Sequence, residues 1–459
     1  MQSLEAQRSN RPDGPSRAFQ FALVLMLFLF AFTHRGIQGQ NDLSRFVAID
    51  SLINRGTWQI DESPYVQETV VRDGKRYRVM NDMVKHPNGH FYSSKPPVLT
   101  LIGAGVLKVF QLAGGEFQFD RLHDSIPTFM LTWLLVGGLS AGAFYVFRKK
   151  AGEWIEDDWE ADIVTLLALG ATIFLSYSTT LNNHTVAASL VLISLLSIGL
   201  AEAKDSVSGT HGAIGGFLMG LALVIDMPAG GAFGLAAGLY ILFHQRSWKT
   251  LVLFGLGSLP PIALHCAIQY SIWGSVLPVQ LMGEGYGHYA GSYWNQPLGP
   301  DSWDVPRYKY WLLTLFSTHG IFLTGPVLLV GVAGVAGDIL GLRRKDAADD
   351  DSARGRRVAA LAVAFAILLM IGYYGFFGPT NFGGSCFSFR WYIGFVPVLA
   401  FYALRCYARR RDSERFRKIF HVLGLVSLMY ALIGMQAPWH LMELNGHPAV
   451  RFLMLFRGF

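Results

Sequence analysis

The sequence predicts an all-α polytopic membrane protein of about eleven transmembrane helices with one large outer loop. Three observations point there. Of 459 residues, 52% are hydrophobic and 15% charged, and the mean hydropathy is +0.33. Apolar blocks recur at about 17–25 residues, the length that crosses a bilayer core. Basic residues gather in short loops between those blocks, as cytoplasmic loops do. The formal net charge of +6 therefore follows membrane topology, and nucleic-acid binding is set aside.

The first apolar block, 19–36, reads as a span or signal anchor after a cytoplasmic tail at 1–18, because it runs into loop without a small-residue cleavage site. Further spans are expected at 125–147, 162–180, 184–202, 212–226, 228–244, 250–272, 321–341, 358–377, 391–407 and 419–435, closing a membrane unit over 19–435. Four basic clusters set the inner side: Arg148 to Lys150, His244 to Lys249, Arg343 to Arg357, and Arg409 to Lys418. The N-terminus is then inside, and residues 436–459 form a short outer tail. Pro97 to Ala113 is apolar, but a crossing there would put Arg148 to Lys150 outside. It reads as a helix in the outer interface, aided by Lys108. Residues 37–124, 273–320 and 378–390 thus share the outer face. Cys266, Cys386 and Cys406 are too few and too scattered for a disulfide framework.

The outer loop opens with Asn41-Asp42-Leu43-Ser44-Arg45-Phe46 and closes with Tyr92-Ser93-Ser94-Lys95-Pro96-Pro97. It places a carboxylate and a lysine against one membrane face. Asp42 to Phe46, followed by Asn54-Arg55-Gly56-Thr57-Trp58, resembles the Asp-Glu-x-Arg-Tyr and Gly-Asp-Trp signature of GT-C glycosyltransferases. That superfamily includes protein O-mannosyltransferases and lipid A aminoarabinose transferases. Lys95-Pro96-Pro97 is similar to its Lys-Pro-Pro, and Gly115 to Leu122 resembles the segment where a family arginine precedes the next span. Leu315 to Leu329 and Asn381 to Pro397 are similar to bacterial hypothetical members. The resemblance implies an enzyme of the bacterial plasma membrane that takes a sugar from a polyprenyl-phosphate donor at the outer face and passes it to a glycan, lipid or protein. Leu43 departs from the second acid of the signature, and Ser94 stands where some aminoarabinose transferases carry a metal-holding glutamate. No metal site is carried over; a divalent metal is compatible with the chemistry but unsupported, and no other cofactor is implied.

Displacing a lipid phosphate from an anomeric carbon needs a general base on the acceptor hydroxyl and cations on the departing phosphate. Asp42 is the candidate base, and a single displacement would invert the anomeric configuration. Lys95, Arg121 and Arg390 are the candidate phosphate ligands, since a guanidinium fork matches phosphate oxygens and lysine adds a compact charge. Arg390 opens a span from the outer side, where positive charge is disfavoured and calls for a reason. Each has a structural rival. Asp42 and Arg45 are spaced as a first-turn helix pair, Lys95 as a snorkelling lysine, and Arg121 as a partner of Asp120 or Asp124. Arg45, Asp120, His184, His319 and Tyr289 are secondary candidates, and Asp226 is a suspect as an acid within the apolar region. Helix-start capping and core hydrogen bonding rival the histidines; an interfacial aromatic belt rivals Tyr289.

Two other classes compete. A transporter or lipid flippase should carry internal repeats with charges inside its spans. No repeat is visible, and the candidate charges sit mainly in outer loops. An inactive scaffold for envelope glycan assembly would keep the fold and tolerate loss of Asp42.

Overall fold

The computed structural model describes residues 16–72, 75–115, 126–279, 289, 292, 304–341, 350–378, 380, 381, 383, 384 and 386–439. It is an all-α membrane protein with two short hairpins. Helix α1 covers Arg17–Phe32, and α2, Gln40–Asp50, begins the long connecting segment expected as the outer loop. Hairpins β1 (Thr69–Arg72) with β2 (Lys75–Arg78) and β3 (Met83–Lys85) with β4 (Phe91–Ser93) follow. Next come α3 (Pro97–Leu112), α4 (Ile126–Trp154), α5 (Asp158–Gly170), α6 (Ile173–Thr179), α7 (Asn183–Ser197), α8 (Gly209–Ile225), α9 (Met227–Gln245) and α10 (Trp248–Trp273). The chain ends with α11 (Arg307–Phe316), α12 (Ile321–Thr324), α13 (Leu328–Leu340), α14 (Asp350–Phe376), α15 (Arg390–Arg410) and α16 (Glu414–Gln436).

All eleven expected apolar blocks fall on helices, but fewer are continuous spans. Among the described residues, six helices are long and apolar enough to cross a membrane, or eight if two bent pairs each count as one. The expected span at 162–180 is broken by 75° between α5 and α6. There Leu166–Gly170 loosens into a wider helical turn and Thr172 restarts the chain by capping Phe174 N at 3.3 Å. The expected span at 321–341 turns through 101° ahead of α13, where Gly325 leaves helical geometry before Pro326, a residue with no N–H to donate. Helices α1, α7 and α8, at 16, 15 and 17 residues, are shorter than a full crossing. Helix α3, at 16 residues, is about 24 Å long by helical rise, shorter than a ~30 Å hydrocarbon core.

The centre of the bundle is α15, whose apolar stretch is 89% buried, whereas that of α10 is only 22% buried. Where two apolar helices meet in lipid, close approach needs small residues. A Cβ on Gly216 or Gly257 would run into the backbone of Phe254 or Ala213, so α8 and α10 touch backbone to backbone. Gly331 and Gly334 do the same for α13 against Leu399 and Tyr402 of α15.

Ion pairs fasten one end of the bundle. Arg148, 2% exposed, pairs with Asp162 at 2.5 Å and Asp158 at 3.0 Å, and Arg17 reaches Asp162 at 2.6 Å. Lys150 pairs with Glu202 at 2.7 Å, and Arg409 with Asp338 at 2.5 Å. These residues come from the basic clusters and their flanks, so the clusters are helix-end fasteners as well as topology signals.

Replacing Gly216 with valine should collapse the α8–α10 contact and lower the melting temperature in detergent or abolish monodisperse elution. A Cβ on Gly255 of the same α10 would meet nothing within 4 Å, so Gly255→Ala should leave melting unchanged or raise it slightly.

Candidate active site

The start of α2 is held by one acid. Asp42 Oδ2 accepts from Gln38 N at 2.8 Å, and Oδ1 accepts from Gly39 N at 2.8 Å and Leu43 N at 3.1 Å. Gln38 N and Gly39 N have no intrahelical acceptor at this helix start, while Leu43 N also makes the first intrahelical bond, to the Gly39 carbonyl at 3.1 Å. The residue is 1% exposed. Burial pushes its carboxyl up to about 6, against the backbone donors that favour the charged form.

The helical pair between Asp42 and Arg45 does not form. Arg45 turns across the bundle instead: Nη1 donates to the Asn41 carbonyl at 3.0 Å and to the Asn41 side chain, and Nη2 donates to Asn183 Oδ1 at 3.0 Å. Its Nε is buried with no hydrogen-bond partner. Burial lowers this guanidinium to about 10, with Asp82 the largest opposing influence, so it stays charged at neutral pH.

Lys95 and the second hairpin arrive together. The Ser44 hydroxyl on α2 donates to the Asp82 carbonyl at 2.5 Å and lies 2.7 Å from Ser93 Oγ, docking β3–β4 on the helix. The Asp82 carboxylate then meets Lys95 Nζ at 2.6 Å, both side chains being mostly buried. Burial brings Lys95 down to about 8; Asp82 opposes this, while Arg45 and Arg390 add to it.

Arg390 comes from the far end of the chain. Its guanidinium carbon lies 4.5 Å from the ring centre of Trp439, whose indole N–H donates to Thr180 Oγ1 at 2.9 Å. Gly383, with φ of +88°, lets the preceding loop pass: a Cβ there would be 2.9 Å from Arg390 Nε. Arg390 Nε and Nη1 are buried with no hydrogen-bond partner. On the Asn183 side, His184 Nδ1 lies 2.6 Å from Asp226 Oδ2.

The structure therefore brings Lys95, Arg390 and Arg45 together, with Asp42 at the base of Arg45's helix and His184–Asp226 behind Asn183. Arg121 and Asp120 lie outside the described residues. Tyr289 packs edge-on against Phe91, ring centres 5.2 Å apart, as a core contact. His319 sits at the bend between α11 and α12, where its backbone N–H donates to Ser317 Oγ at 3.2 Å. Sequence reading missed Asp82, Asn183 and Trp439. Asp82 lies in a loop without periodicity, and Trp439 follows the last span with no motif around it.

Two crystal structures of ArnT from Cupriavidus metallidurans are similar to this chain. The apo form shares 13% identity with a TM-score of 0.48, over 91% of this chain and 63% of ArnT. The form bound to undecaprenyl phosphate shares 12% identity with a TM-score of 0.46, over 96% of this chain and 72% of ArnT. The chain thus spans just under two thirds of the length of the first of these. No family model and no curated protein matches the chain.

Because Lys95 titrates near 8 in the folded protein and near 10.5 when unfolded, the unfolded chain binds more protons between those values. Stability should therefore rise with pH across that window. Detergent melts of wild type and Lys95→Met from pH 7 to 10.5 should show wild type gaining relative to the variant; parallel curves would refute the assignment.

Proposed function

We propose that this chain is a GT-C-type glycosyltransferase that takes a sugar from a polyprenyl-phosphate donor and passes it to a hydroxyl of a glycan, lipid or protein at the outer face of a bacterial plasma membrane. One observation carries the reading: half-buried Arg390, at a helix start beside Arg45 and Lys95, keeps Nε and Nη1 buried and unmatched. The neighbouring acids are committed elsewhere. Asp82 is held by Lys95, Asp42 by backbone N–H groups, and Asp226 by His184. Arg45 and Arg390 have no carboxylate partner among the described residues. Asp82, Asp42 and Asp226 act on Arg45 only through space; a buried charge with no counter-charge in contact is costly, and a phosphate supplies that contact along with oxygens for the free N–H donors.

The same cations that hold the donor stabilise the polyprenyl phosphate as it leaves, because negative charge grows on the bridging oxygen as the bond to the anomeric carbon breaks. Lys95 and the two arginines are fixed before the substrate arrives, so little reorganisation is spent in the transition state. In this reading Asp42 takes the proton of the acceptor hydroxyl through Oδ2, which accepts a single backbone bond. A carboxyl raised to about 6 is a stronger base than an ordinary aspartate and is still ionised at neutral pH. The attack is a single displacement with inversion.

Arg390→Gln should weaken binding of undecaprenyl phosphate to the purified protein by about tenfold or more, the worth of a charge-assisted hydrogen bond; unchanged affinity would sink the phosphate site. Asp42→Asn should leave that affinity intact and abolish transfer from radiolabelled polyprenyl-phosphate sugars. If instead Asp82→Asn abolishes transfer while Asp42→Asn retains it, the base is Asp82.

A further inference from the structure

Two inward-facing arginines of this chain are satisfied in different ways. Arg148 spends its in-plane donors on acids: Nε meets Asp162 at 2.5 Å and Nη2 meets Asp158 at 3.0 Å. Arg390 gives its face instead, with the guanidinium carbon 4.5 Å from the ring centre of Trp439. All the N–H bonds of a guanidinium lie in its plane, so an aromatic ring on the face desolvates the group and consumes no donor. Nε and Nη1 of Arg390 accordingly stay buried and unmatched.

The ring that faces Arg390 is itself held in place. Trp439 is buried, its indole N–H donates to Thr180 Oγ1 at 2.9 Å, and Tyr177 meets it edge-on with ring centres 5.7 Å apart. Gly39 packs its backbone against the same indole, since a Cβ there would lie 3.2 Å from the ring. The chain is also fastened one residue earlier. The Pro438 carbonyl accepts from Phe387 N at 2.8 Å, and the Tyr177 hydroxyl sits between the Pro438 and Phe387 carbonyls at 2.8 and 2.9 Å. Phe387 lies in the segment that leads into Arg390, so this fastening ties the indole to the stretch of chain that delivers the arginine. An aliphatic side chain would fill the same space but would offer the cation no electron-rich face.

We propose that Trp439 is a positioning residue of the donor site: it holds the Arg390 guanidinium by its face, so that the in-plane donors remain for the phosphate. The inference rests on the donor-phosphate reading above and adds what aims the arginine. Trp439 touches no reacting atom and acts through Arg390 alone.

The test is a double-mutant cycle on binding of undecaprenyl phosphate to purified full-length protein, with wild type, Trp439→Leu, Arg390→Gln and the double variant. Trp439→Leu keeps apolar bulk and removes the aromatic face, and should weaken binding about tenfold, the worth of a desolvated cation–π contact. Trp439→Phe, which keeps such a face, should recover most of that affinity. In the Arg390→Gln background Trp439→Leu should cost nothing further, a result that a purely structural role would not give. Should Trp439→Leu fail to fold, Trp439→Met takes its place in the cycle. Unchanged affinity in Trp439→Leu, no recovery in Trp439→Phe, or the same loss from Trp439→Leu in both backgrounds would overturn the proposal, while the loss caused by Arg390→Gln leaves the phosphate site standing. If Arg390→Gln binds as wild type does, the phosphate site and the inference fall together.

Discussion

Buried arginines with no contacting carboxylate among the described residues, at one end of an apolar bundle, are the constraint around which this molecule is arranged. Elsewhere the protein neutralises its buried cations: Arg148 has Asp162 and Asp158, and Arg405 has Asp338. At the opposite end Arg390 is left with an indole face and two unmatched donors, and Arg45 leans on amide oxygens and a carbonyl. Neutral partners orient a guanidinium without cancelling its charge. An arrangement of that kind is stable only because the surrounding scaffold is more than able to hold it, and it keeps a strong electrostatic preference for an anion.

The scaffold does so by bringing together segments distant in sequence. Asp42 gathers the first backbone donors of α2, which aims Arg45 inward. Ser44 on the same helix docks the β3–β4 hairpin through Asp82 and Ser93, and that docking delivers Lys95. Arg390 enters past a glycine with left-handed backbone and is covered by Trp439, itself tied to Thr180. Each cation thus depends on a polar contact made by another segment, so the charges assemble only in the folded chain.

Much of this was legible in the sequence, and the boundary of legibility has physical causes. Each block expected from apolar length falls on a helix, because the bilayer imposes that length on each crossing independently, whereas the polar helices α2 and α11 carry no such signal. The break before α13 has a local signal in Gly325-Pro326, but the one after α5 depends on how Ala171 and Thr172 pack and leaves little trace in composition. Arg390 was found because a charge placed where hydropathy disfavours it needs a reason, whereas Lys95 and Arg45 were found through the likeness of the loop at 41–97 to a family signature. The partner choices were not found. Three-residue spacing suggested Asp42 with Arg45, yet the backbone donors at the helix start compete better for the carboxylate, and the arginine finds Asn183 across the bundle. Asp82 and Trp439 carry no local pattern, since their importance arises entirely from tertiary placement.

Helix α10 illustrates how such placement shapes behaviour. Its first half is pinned to α8 where glycines bring backbone against backbone, and Pro261 still rests within 3.0 Å of where a side chain on Gly220 would begin. Pro260 and Pro261 then remove two consecutive rungs of the helical ladder. Beyond that softened joint the helix continues to Gln269 and Trp273 like an arm from a clamped fulcrum. A bend at that joint would shift Trp273 against His86 and Tyr92 while the glycine contact with α8 stays as it is.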